Sequence, residues 1–154
     1  MRLSRKGRFA VTAMMNLALN HSKGPMTLTE LTHDQGISLS YLEQIFANLR
    51  SKGLVGGVRG PGGGYCLARP ASEITIADIV TAIEENAPIT NPDSIATLYH
   101  SDRSPIHAMW NDFSRDLYRF MNSVTLADCV ARYRTKTRRV QSETALVRPA
   151  EYAA

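Results

Sequence analysis

Ser38, Ser40, Tyr41, Gln44 and Asn48 recur at helical spacing, and each carries a hydroxyl or an amide. Farther on, a single arginine, Arg59, stands at the mouth of the run Gly60-Pro61-Gly62-Gly63-Gly64. Neutral donors and acceptors on one helical face suit the edges of bases and the oxygens of phosphates. An arginine beside a turn that brings backbone close to a ligand suits a narrow groove of strong negative potential. Glu43 is the one carboxylate in the set; it repels phosphate unless it reads a cytosine amino group.

These groups need a helix and a hairpin to hold them. Leu42, Ile45, Phe46 and Leu49 fall at i, i+3, i+4 and i+7, one apolar face of a helix. Ser38 is placed to cap its start and Gly53 its end. A shorter helix precedes it, opened by the capping-box spacing Thr27 to Glu30 and closed by Gly36. Leu54, Val55 and Val58, then Tyr65, Cys66 and Leu67, flank the glycines and read as two short strands. Two short helices joined by a tight turn, followed by a strand–turn–strand, predict a winged helix-turn-helix. The fold class expected is mainly α with a small β-wing, completed by a long dimerisation helix. The expected DNA contacts are Ser38, Ser40, Tyr41 and Gln44 from the helix, and Arg59 and Gly60 from the wing.

Competing chemistry is poorly supported. No Lys-Ser or Lys-Thr follows the glycines, as a nucleotide-binding loop requires. His21, His33, His100 and His107 are scattered and make no metalloprotease motif, and no nucleophile–base set emerges from spacing. The chain is read as a non-enzyme.

Charge is unevenly placed along the 154 residues. Residues 1–70 hold nine Lys/Arg against three Asp/Glu, while residues 71–154 hold nine against eleven. The cationic half is the half with the helix-turn-helix and wing, as phosphate neutralisation requires. Arg2, Arg5, Lys6 and Arg8 precede an apolar run to Leu19 that imitates a signal peptide. Asn16 interrupts it and no small-residue cleavage site follows, so a first helix packed on the helix-turn-helix is the expectation. No apolar stretch approaches the ~20 residues that span a membrane. Two cysteines, Cys66 and Cys129, without secretory context suggest a reducing cytoplasm.

Thr75 to Glu85 reads as a helix with Ile76, Ile79, Val80 and Ile83 on one face. Residues 86–104 have no clear period and read as a loop. Ile106, Met109, Trp110, Phe113, Leu117, Phe120, Met121 and Val124 then form a stripe too long for one small domain to cover. Part is expected on the chain's own domain and part on a second subunit, giving the two-fold symmetry of a palindromic double-stranded operator. The organisation expected is a DNA-binding domain over 1–86, a sensor loop over 87–104, a dimerisation helix region over 105–135 and a mobile tail over 136–154.

Three segments resemble the winged-helix regulator family that includes IscR, NsrR and CymR. They are Met1-Arg2-Leu3-Ser4 with Lys6-Gly7-Arg8-Phe9-Ala10-Val11, the run from Gly36 to Gln44, and Val58-Arg59-Gly60-Pro61-Gly62-Gly63-Gly64-Tyr65. His107-Ala108-Met109-Trp110 and Thr125-Leu126 also fit, so the resemblance covers residues 1 to about 135. It implies a dimeric transcription regulator, most often a repressor of iron–sulfur or iron-metabolism genes.

The resemblance also implies a [2Fe–2S] cluster, held in IscR-like proteins by three cysteines before the long helix and a histidine at its start. His107 stands at the histidine position. The cysteine positions fall near Pro92, Leu98 and Ser104, and no cysteine occurs between Cys66 and Cys129. Three readings stay open. One is a cluster with unusual ligands drawn from His107, His100, Asp102, Asp93 and Cys129. The others are a cofactor-free regulator controlled by a protein partner or small molecule, and a constitutive DNA binder.

Overall fold

The computed structural model describes residues 4–84 and 105–146, except the side chains of 34, 35, 107 and 143–146. Helix α1 spans Arg5–Leu19, and Ser4 caps it by accepting the Gly7 amide at 2.9 Å. Gly7, Ala10, Ala13, Met14 and Leu17 form its buried face, so the apolar run that imitates a leader is core. The small Gly7 allows close approach: a Cβ there would stand 2.8 Å from the Glu84 carboxylate, which accepts the Ser4 amide.

Helix α2 is Leu28–Gln35 and α3 is Leu39–Ser51. The Thr27–Glu30 capping box is present, and its hydrogen bonds hold the Glu30 carboxyl below the ordinary value of 4.5. Gly36, at φ +60°, takes the left-handed conformation that ends α2 and starts the turn. Helix α3 closes with a paired hydrogen-bond motif, Gly53 N to Arg50 O and Leu54 N to Leu49 O, with Gly53 at φ +67°. Leu49 and Leu54 are both buried, which adds the apolar contact that usually locks such an end.

Strands β1 (Val55–Val58) and β2 (Gly64–Leu67) pair antiparallel, with Val55 opposite Leu67 and Val58 opposite Gly64. Helix α4, Ile76–Ile83, follows a second capping box, Thr75 with Asp78. One core gathers Met14, Leu17, Leu31, Leu42, Ile45, Phe46, Leu49, Leu54, Ile79 and Ile83, all buried. Each such side chain contributes about 1.5–3 kcal/mol relative to exposure.

Two long helices follow, α5 (Pro105–Ser123) and α6 (Leu126–Leu146). Val124 and Thr125 between them are extended and pair with the approach to α4. Ile76 N donates to Val124 O at 2.9 Å, and Leu126 N to Ile74 O at 2.8 Å. Thr125 opens a third capping box, with Asp128, directly across from Thr75. The expected dimerisation region therefore holds two helices, broken where this bridge forms.

Within the tail expected from residue 136, α6 is helical through Leu146, and residues 147–154 lie outside the described residues. The polar residues of α6 are mostly good helix formers, and composition does not separate a solvated helix from a tail. The expected sensor loop over 87–104 lies outside the described residues, with Asp93, His100 and Asp102. No helix among the described residues is long and apolar enough to cross a membrane.

Candidate nucleic-acid interface

The α3 stripe Leu42, Ile45, Phe46 and Leu49 is fully buried, which turns the polar face outward. Ser38, Ser40, Glu43 and Gln44 are exposed. The Ser38 hydroxyl is partly committed, since it accepts the Tyr41 amide at 3.3 Å as the N-cap. Tyr41 is half-buried, and its ring meets Phe9 of α1 edge-on at 6.1 Å. It therefore packs α1 against α3 as well as bordering the polar face. Periodicity along α3 does not reveal that contact, because Phe9 lies on another element.

Leu39 is the residue that sequence reasoning passes over. It falls three before Leu42 and seven before Phe46, which reads as core, yet it is 45% exposed at the first turn of α3. The first turn of a recognition helix is the part that meets base edges, and a leucine there offers an apolar surface to a thymine methyl.

The wing is tied to this helix by aromatic and backbone contacts. Phe46 of α3 meets Tyr65 of β2 with ring centroids 4.7 Å apart. Tyr65 also exchanges two backbone hydrogen bonds with Met26, at 2.7 and 2.9 Å, anchoring β2 just before α2. Gly64 permits the approach, because a Cβ there would run into the Met26 carbonyl. At the tip, Gly63 N donates to Gly60 O at 2.9 Å across Pro61 and Gly62, with Gly62 at φ +73°, the residue pattern of a type II turn. Arg59 and Gly60 lie exposed at the entry to that turn.

Of the proposed metal donors only Cys129 has a described side chain. Among the described residues no group of three His, Cys, Asp or Glu side chains could hold a metal ion. Cys66 is half-buried in β2, its thiol directed at the Gly56 carbonyl at 3.7 Å. Cys129 is half-buried near the start of α6, where burial pushes its thiol up and only Arg132 pulls the other way among its larger influences. The His107 side chain lies outside the described residues, as do His100, Asp93 and Asp102.

Residues 3–132 match the Rrf2 family, described as iron-dependent transcriptional regulators. The chain belongs to the Rrf2 family. It is 47% identical over 130 residues to the HTH-type transcriptional regulator IscR of Serratia proteamaculans, covering 84% of this chain and 79% of that protein. The Escherichia coli K12 IscR is 46% identical, with 84% and 80% covered. Among solved structures, T. potens IscR superposes with a TM-score of 0.73 at 34% identity, over 86% of this chain and 88% of its own. CymR of B. subtilis, titled a global cysteine regulator, gives 0.69 at 29%, over 85% and 97%. This Rrf2 member is thus an HTH-type transcription regulator and not an enzyme. Its winged helix-turn-helix with a small two-stranded sheet is the architecture expected from the residues.

Proposed function

We propose that this chain is a homodimeric, sequence-specific DNA-binding repressor of iron–sulfur cluster or iron-metabolism genes, acting in the cytoplasm. One observation carries the reading: an exposed polar face on α3, fixed by its buried stripe, is joined through Phe46 and Tyr65 to a wing that holds Arg59 in solvent. Helix α3 enters the major groove, where Ser38, Ser40, Tyr41 and Gln44 meet base edges and phosphates, with Leu39 at the first turn. Arg59 and Gly60 enter the adjacent minor groove. Residues 1–86 form this reading head. The half-exposed Ile106, Met109, Trp110, Phe113 and Phe120 of α5 supply the surface for a second copy, and the resulting two-fold fits a palindromic operator. The link to iron is supported by the family description and by the relatives named IscR.

Two substitutions test the interface. Gln44→Ala should weaken operator binding by about 1–3 kcal/mol and leave mixed-sequence duplex nearly unaffected, because it removes a neutral base contact. Equal losses on both duplexes in an anisotropy titration would reject that role. Arg59→Ala should lower affinity and reduce the slope of log K against log salt by about one charge.

A second reading has its own support. No cysteine occurs between Cys66 and Cys129, which supports a cofactor-free regulator controlled by a protein partner or small molecule. Protein purified without oxygen separates the two. Colour with stoichiometric iron and sulfide, changed by His107→Ala, assigns a cluster to this chain with His107 as ligand. Colourless protein after reconstitution assigns the cofactor-free reading.

A further inference from the structure

Helix α6 runs to Leu146, whereas the family match ends at residue 132. From residue 129 to 142 it carries Arg132, Arg134, Lys136, Arg138 and Arg139, and no carboxylate. All five side chains are exposed. The surrounding sequence is of the opposite sign: the other residues of 71–154 hold four Lys/Arg and eleven Asp/Glu. Such segregation marks a cationic surface within an acidic half, not the mixed charge of an ordinary solvated face.

The arrangement around the helix gives the run an outward direction. Leu126 and Val130 are buried, and Tyr133, Thr137 and Val140 continue the same seam by steps of three and four. Arg132, Lys136 and Arg139 lie along one flank of that seam, and Arg134 and Arg138 along the other. The seam is packed on protein at Leu126 and Val130 and opens at Tyr133 and Val140, and both flanks face solvent. Arg132 is within electrostatic reach of Asp128, and Arg139 has a partner of its own. Arg134, Lys136 and Arg138 define the working charge.

We propose that residues 132–139 of α6 form a second, sequence-independent contact with the phosphate backbone of the DNA beside the operator. The proposal rests on the DNA-binding reading above. Polyanionic DNA is the partner that reading already supplies, and arginines spread over two flanks suit phosphates, which carry no sequence information. The contact would hold the regulator on DNA without changing which bases α3 reads.

The test uses the full chain and a mixed-sequence duplex several helical turns long. Replacing Arg134, Lys136 and Arg138 by glutamine preserves helix propensity. The variant should bind at least ~10-fold more weakly at low salt and lose about two to three units of the log K against log salt slope. Keeping Lys136 and replacing the two arginines by lysine should restore the slope, which excludes misfolding as the cause. An unchanged slope in the glutamine variant, with Arg59→Ala still lowering it, would overturn the α6 contact and leave the wing in place. A lowered slope in the glutamine variant, with Arg59→Ala silent, would support α6 and overturn the wing assignment. No duplex binding by the unaltered protein would overturn both. Loss of binding to phosphatidylserine vesicles, with the duplex slope unchanged, would give the surface to a membrane and overturn the proposal.

Discussion

The reading head and the α5–α6 arm use similar apolar patterns to opposite ends. In α3 the stripe Leu42, Ile45, Phe46 and Leu49 has no exposure at all. In α5 the end of the stripe packs against the described part of the chain: Met121 is buried, and Leu117 and Tyr118 pack beside it against Ala77 and Val80 of α4. Ile106, Met109, Trp110, Phe113 and Phe120 are each more than half exposed. Trp110 and Phe113 meet edge-on at 6.0 Å, so part of the apolar face is ordered without being covered. The head covers its own stripe, whereas the arm leaves most of its apolar face exposed.

The largest effect should come from breaking the head. Phe46→Ala removes a fully buried ring that both fills the core and holds Tyr65. The cost should be about 3–5 kcal/mol, the usual range for a core phenylalanine. Urea unfolding should show it, with loss of DNA binding because the wing is no longer fixed to α3. A cost below ~1 kcal/mol would mean that Phe46 is not central to the core.

The same kind of change in the arm should act on assembly instead. Trp110→Asp places a carboxylate in the exposed apolar face of α5. Sedimentation should show monomer where the unaltered protein is a dimer, with the helical circular dichroism signal largely kept. Aromatic anchors of interfaces are commonly worth 2 kcal/mol or more, so the shift should be visible at micromolar protein. A dimer of unaltered affinity would place the two-fold contact elsewhere and leave the α5 face without its proposed role.

The contrast also explains what the sequence made legible. The α3 stripe, the Thr27 box, the Gly36 stop and the wing turn are local, and their residues announce them within a few positions. The bridge between Thr75 and Thr125 spans half a hundred residues, and neither strand fragment is long enough to show a period. The end of the stripe at Val124 marks the close of α5, but the pairing that fixes the break shows in neither segment. The Phe9 contact of Tyr41 is hidden for the same reason, and it makes a proposed base-reading residue partly a packing residue. The polar end of α6 shares its composition with a tail, so its helix through Leu146 does not announce itself in the residues. Ser4, a serine just before the helical run, is a cap of α1 legible in the residues.

The smallest predicted effect compares matching caps in the two regions. Glu30 in the head accepts the Thr27 amide at 2.7 Å, and Asp128 in the arm accepts the Thr125 amide at 3.0 Å. In each case the backbone hydrogen bond is the main cause holding the carboxyl below its ordinary value, with the threonine hydroxyl next. A carboxyl depressed in the folded state is protonated more readily in the unfolded chain. Stabilisation from the caps is therefore complete above the ordinary carboxylate range and is lost as pH falls through the folded values. The amide proton shifts of Thr27 and Thr125 should follow these titrations, with inflections below the ordinary 4.5 of glutamate and 3.8 of aspartate. Glu30→Gln should remove the first inflection and Asp128→Asn the second, each leaving the other in place. Both carboxylates are fully solvated, so the effect on global unfolding should be slight and weaken further with salt. If the Thr125 amide shows no inflection while Thr27 does, the cap opening α6 is not formed in solution. The junction between head and arm would then rest on the Ile76–Val124 and Leu126–Ile74 backbone bonds and on the packing of Met121 and Leu126.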